Sequence, residues 1–144
     1  MITVCDTGPV VAYLNRNDPH HDWAAAVMKQ LRPPLLTCEA VMTEAAYFLR
    51  EDGVDVEPLF WMLERSALLI DFDMSAQWPR MRTLMRRYAQ MDVSDASVVV
   101  MSETHALSGA DSRHEGLQRV PAQRPAGDTL HSTPMIAGLL RPRG

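Results

Sequence analysis

The chain has 144 residues, 47% of them hydrophobic, which suits one domain around one core and excludes a disordered chain. Its net charge of -4 argues against a general nucleic-acid coat protein, which would be basic, but leaves room for a nuclease whose metal-binding carboxylates are themselves acidic. No secretory n-region precedes an apolar stretch and no apolar run is long enough to span a bilayer, so a cytoplasmic protein with no membrane partner is expected, its Cys5 and Cys38 held as reduced, buried thiols rather than as a disulfide or zinc site.

Residues 1–5 are short and β-branched and are closed by Asp6-Thr7-Gly8-Pro9, the pattern of a buried strand followed by a turn. Asp6 or Thr7 can cap the next segment, Pro9 suits a first helical turn, and Val10, Val11, Tyr13 and Leu14 predict a short apolar helix. Residues 15–19 are polar and end in proline, so they read as a loop. Residues 20–31 carry Trp23, Ala24, Val27, Met28 and Leu31 at helical spacing, and Pro33-Pro34 ends that helix. Leu35, Leu36 and Thr37 form a second short strand. A helix over 38–50 carries Ala40, Val41, Ala45, Tyr47, Phe48 and Leu49, and Asp52-Gly53 breaks it. A helix over 56–67 and a strand over 68–72 follow. Residues 74–91 predict a longer helix with Trp78, Met81, Leu84, Met85 and Tyr88 on one side and Arg80, Arg82, Arg86 and Arg87 among them. The last helix, 93–106, turns Val98, Val99 and Met101 inward. Strands alternating with helices predict an α/β domain with a central parallel sheet covered by helices on both faces. After Ser108 the chain becomes rich in Pro, Arg and Gly without period, so 1–108 reads as the domain and 109–144 as an irregular tail.

In an open parallel sheet, ligands bind beyond the carboxyl ends of the strands. Asp6 stands at such an end. Glu44 lies in the helix after the second strand, and Asp92 and Asp95 open the last helix at i, i+3, on one face. An acid at the edge of a buried helix needs a counter-charge, because an unpaired buried carboxylate is costly. Mg²⁺ or Mn²⁺ supplies one and prefers oxygen ligands. The chemistry that fits is phosphodiester hydrolysis by metal-activated water. Each acid also has an ordinary use: Asp6 as a helix cap, Glu44 as a solvated helix acid, Asp92 and Asp95 as complements to a helix dipole. Thr7 and Ser97 can orient a water or simply cap. The four arginines can meet an RNA backbone or form a solvated face. His20 and His21 are taken neither as ligands nor as bases. Trp23, Trp61, Trp78 and the methionines read as core or as a dimer interface. The absence of a Gly-rich phosphate loop argues against a phosphatase or nucleotide-binding protein.

The opening ITVCDTGPVVAYL at residues 2–14, with DPHH at 18–21, resembles that of PIN-domain proteins, and is most similar to the VapC-type toxin ribonucleases. VMTEAAYFL at 41–49 resembles the second acidic motif of that family and YAQMDVSDASVV at 88–99 the third, in the same order. The resemblance covers the chain to about Ser108. It implies a three-layer PIN-like fold, with Asp6, Glu44 and Asp95 as catalytic and metal-binding acids and Asp92 as an auxiliary metal ligand. It also implies Mg²⁺-dependent RNA cleavage as the toxin of a toxin–antitoxin pair, homodimers, and inhibition by a cognate antitoxin.

The family continues with a strand, a fourth acid in a pattern like Leu-Thr-x-Asp, and then Asp-Phe-x-x-Tyr; here residues 109–117 read GADSRHEGL, which does not match. Reading this stretch one nucleotide later admits the family's ending. Met135 followed by Ile136 requires ATG then A, so the shifted frame stops there. The tail therefore reads as frameshifted, and the last strand as lost or irregular. Arg113 stands roughly where the fourth acid belongs, with Asp111 and Glu115 the nearest substitutes. The alternative function is accordingly a catalytically impaired homologue that only binds itself, an antitoxin or RNA.

Overall fold

A computed structural model describes residues 2–109, with side chains to 106. In order these residues form α1 (Thr7–Leu14), α2 (His21–Gln30), β1 (Leu35–Thr37), α3 (Glu39–Glu51), α4 (Glu57–Glu64), β2 (Leu68–Ile70), α5 (Met74–Arg87) and α6 (Val93–Gly109). The fold is mixed α/β, with β1 and β2 parallel and Leu35 opposite Leu68. The strand expected over 1–5 contracts to a single parallel bridge, Val4 to Leu36. Cys5 N–H donates to the Leu36 carbonyl and Leu36 N–H to the Thr3 carbonyl, both at 2.7 Å. The strand expected to reach 72 stops at Ile70, where Asp71 N–H still reaches the Thr37 carbonyl. The expected tail lies outside the described residues, apart from Gly109 at the end of α6.

Successive strand residues point to opposite faces, and this divides the core. Cys5, Leu35 and Leu68 pack with Val10 and Val11 of α1, Met42, Ala45 and Leu49 of α3, and Leu59 of α4. Val4 and Leu36 pack instead with Val41 of α3 and Val98 and Met101 of α6. α3 serves both groups because Val41 and Met42 are neighbours on adjoining faces of one helix. Met81 and Leu84 of α5 join Met91, Ala96 and Val100 in a third cluster between α5 and α6. α6 is buried over most of its circumference, including Ser94, Ser97 and Ser102, as a central helix must be.

Helix ends follow local rules. Gly53 N–H bonds to Arg50 and Val54 N–H to Leu49, a Schellman ending for α3 that needs the left-handed backbone of Gly53, φ +70°. α4 ends the same way through Ser66 and Ala67, with Ser66 at φ 55°. The helix expected to run to 91 stops at Arg87, because Tyr88 turns extended and a tight turn delivers Met91 to the core. Trp78 and Tyr88, expected beside Met81 and Leu84, are 53% and 45% exposed, since the inward stripe of α5 is narrower than its apolar content suggests. Trp61 is exposed too.

Candidate active site

Asp6 is where the chain leaves the Val4–Leu36 bridge and enters α1. Its Oδ1 accepts the Thr7 N–H at 2.7 Å, capping α1. Its Oδ2 is buried with no hydrogen-bond partner, and the residue is only 2% exposed. Burial is the main reason its pKa is pushed up to about 7. The Thr7 N–H opposes that rise, and the charges of Asp95, Glu44 and Asp92 add to it.

Those three acids come from two other elements. Glu44 sits midway along α3, half-buried, and accepts a hydrogen bond from the Thr7 hydroxyl through Oε2. It is therefore tied to the residue that follows Asp6 rather than free in solvent. Asp92 and Asp95 cap α6 reciprocally: Asp95 N–H donates to Asp92 Oδ1 at 2.8 Å, and Asp92 N–H to Asp95 Oδ2 at 3.2 Å. Asp92 is exposed and Asp95 buried. The Asp95 pKa is pushed up to about 6, chiefly by burial, with the Asp92 N–H opposing and the Asp92 and Glu44 charges adding. The helix-cap uses are thus real for Asp6, Asp92 and Asp95, yet none of them accounts for Asp6 Oδ2.

Asp6 and Asp95 feel the charge of their acidic neighbours. Among the described residues, however, no three His, Cys, Asp or Glu side chains form a ready-made metal cage. The carboxylates accept instead from backbone and hydroxyl donors: Asp6, Asp92 and Asp95 from backbone N–H groups, Glu44 from the Thr7 hydroxyl. Ser94, between Asp92 and Asp95, is a further buried group with an unpartnered hydroxyl. Its single small side chain carries no sequence signal. Ser97 does not reach toward the acids with a free hydroxyl; it donates to the Val93 carbonyl at 2.7 Å.

Other candidates stand apart. His21 Nδ1 lies 2.9 Å from the Ala12 carbonyl. Cys5 and Cys38 are buried and free, and burial, helped by Asp6, pushes the Cys5 thiol up to about 12. Arg80 is taken up by a two-pronged ion pair with Glu103, at 2.7 and 2.9 Å. Asp111, Arg113 and Glu115 lie outside the described residues. No helix among the described residues is long and apolar enough to cross a membrane. No protein-family model and no curated protein matches the chain.

Proposed function

We propose that the chain is a Mg²⁺-dependent endoribonuclease of the PIN type, the toxin half of a toxin–antitoxin pair, with Mn²⁺ as a substitute ion. The observation that carries this reading is the buried, unpartnered Oδ2 of Asp6, with Asp95, Glu44 and Asp92 close enough to raise its pKa. An all-carboxylate set with one orphaned oxygen suits a hard divalent cation, which relieves both the burial and the mutual repulsion. Asp6 and Asp95 would hold it, with Asp92 at the solvent side and Glu44 beside them. When bound, Mg²⁺ supplies charge neutralisation for the phosphate and acidifies water. Thr7 fixes the site twice, its N–H on Asp6 and its hydroxyl on Glu44. Glu44, the half-exposed acid of the α3 position, takes up the proton that hydrolysis releases.

In this reading the helices packed on either side of the short parallel sheet are the layers of a PIN-like fold. The exposed Tyr47, Phe60 and Trp61 offer apolar surface to a second copy or an antitoxin. The binding-only reading is favoured by two observations: no three-acid cage preforms among the described residues, and Arg113 stands where the family has an acid. An RNA cleavage assay separates the two. Hydrolysis predicts cutting with Mg²⁺ or Mn²⁺ that stops with chelator and in Asp6→Ala; intact RNA under all conditions leaves only binding.

Thr7→Val tests the positioning role. Loss of the hydroxyl frees Glu44 and is expected to slow cleavage by about 10–100-fold while the melting temperature stays close to that of the parent. Thr7→Ser, which keeps the hydroxyl, restores the rate. An unchanged rate in Thr7→Val would remove Thr7 from the site.

A further inference from the structure

α5 carries four arginines and no acid, in a chain whose net charge is -4. Arg80 is neutralised by Glu103 of α6. Arg82, Arg86 and Arg87 are exposed and have no carboxylate in salt-bridge range among the described residues. Three cations left without a carboxylate partner among the described residues of an acidic protein point to an anion from outside. Trp78, Arg82 and Arg86 recur at i, i+4 and i+8, so they share one stripe, and Trp78 is 53% exposed. Arg87 lies over the ring of the exposed Tyr88, its guanidinium carbon 5.5 Å from the ring centre.

The direction of the stripe follows from the packing of α5 on α6. Arg80 meets Glu103, while Leu84 packs in the cluster with Ala96 and Val100. The helices are therefore antiparallel, and Arg86, Arg87 and Tyr88 lie at the end of the pair where α6 begins, with Asp92 and Asp95. One turn, closed by Met91 N–H on the Tyr88 carbonyl at 3.0 Å, separates Tyr88 from Asp92.

We propose that the exposed side of α5, from the stripe of Trp78, Arg82 and Arg86 round to Arg87 and Tyr88 at its C-terminal end, is a track for single-stranded RNA that leads the strand to the acidic cluster at the start of α6. The proposal rests on reading that cluster as the hydrolytic site. Phosphates meet the arginines, and unpaired bases stack on the exposed rings. A paired helix keeps its bases stacked internally and offers nothing to Tyr88 or Trp78. Trp78 to Tyr88 covers about 15 Å along the helix, room for a short run of nucleotides.

The test uses the full chain and a fluorescent single-stranded RNA of mixed sequence, with affinity measured in chelator so that cleavage cannot run. The combined variant Arg82→Ala, Arg86→Ala, Arg87→Ala is expected to bind at least tenfold more weakly and to lose about 2 from the slope of log affinity against log salt, about 0.7 per phosphate contact. The three lysine replacements keep most of that slope. Tyr88→Ala weakens binding about tenfold with the slope unchanged. Parental affinity and slope in the triple alanine variant overturn the proposal, as does a parent that binds no RNA at low salt. Equal affinity for an acidic peptide of the same charge, unaffected by Tyr88→Ala, also overturns it and assigns the face to a protein partner. Cleavage in Mg²⁺ is read separately. A triple variant that binds and cuts like the parent defeats the track and leaves hydrolysis standing; RNA bound through this face but never cut defeats hydrolysis and leaves the track.

Discussion

Asp6→Asn is expected to give a protein that is more stable than the parent at pH 8 in chelator and that no longer cuts RNA. The Asp6 carboxyl is pushed up from its ordinary 3.8 to about 7, with burial the largest cause. At 1.36 kcal/mol per unit, holding it ionised in the folded chain at pH 8 costs on the order of 4 kcal/mol. Asparagine keeps an oxygen for the Thr7 N–H and removes the buried charge. It also replaces the buried, unpartnered Oδ2 with an uncharged amide in the field of Asp95, Glu44 and Asp92. A gain of a few kcal/mol in urea denaturation is expected, with cleavage lost because the cation loses its most buried ligand. Stability gained together with activity lost is the mark of a residue kept for function at a structural cost. An Asp6→Asn protein that is less stable than the parent in chelator would show that the carboxylate serves the fold.

The metal-free protein is expected to lose stability as the pH rises from about 4 to about 7. In the folded state the carboxyls of Asp6 and Asp95 titrate near 7 and 6, both above the ordinary 3.8. Through that window the folded chain therefore holds more protons than the unfolded one. Stability falls as those protons leave, and levels off above pH 7. Ordinary surface-paired carboxylates give the opposite slope. In the proposed reading Mg²⁺ would replace the protons and favour the folded state by mass action. The gap between melting temperatures in Mg²⁺ and in chelator should be close to zero at pH 4 and widest above pH 7, on the order of 10 °C for a domain of this size. Melting curves at each pH unit from 4 to 8 check both statements. A gap that does not depend on pH would place ion binding away from these two acids.

Local signals were legible in the sequence, and long-range ones were not. Asp6 as a cap, the break at Asp52-Gly53 and the start of α6 at Val93 all follow from residue types that act within one turn of the chain. The N-terminal strand was overread because β-branched residues mark burial, and burial at Val4 is achieved with one bridge rather than a ladder. The outward turn of Trp78 and Tyr88 was missed because aromatic residues at helical spacing look the same whether they face a core or solvent. In the site, Asp6 stands out from its place after a strand and Asp92 and Asp95 from theirs at a helix start, whereas Glu44, midway along α3, stands out only through the resemblance of 41–49 to a family motif. The bond from Thr7 to Glu44 spans 37 positions and no local pattern encodes it. The Arg80–Glu103 pair, which separates one neutralised arginine from three with no carboxylate partner among the described residues, depends on how α5 packs on α6 and has no local signature either. Ser94 has no signature at all; only its burial and its unpartnered hydroxyl bring it forward.

Asp6, Glu44, Asp92 and Asp95 are expected to share one divalent cation. Titration of Mn²⁺ followed by electron paramagnetic resonance, on the full chain at pH 8, tests it most directly. One ion bound per chain in the parent, displaced by excess Mg²⁺ and lost in Asp6→Ala and in Asp95→Ala, is the expected result. No bound Mn²⁺ in the parent, or binding that survives both substitutions, would contradict it.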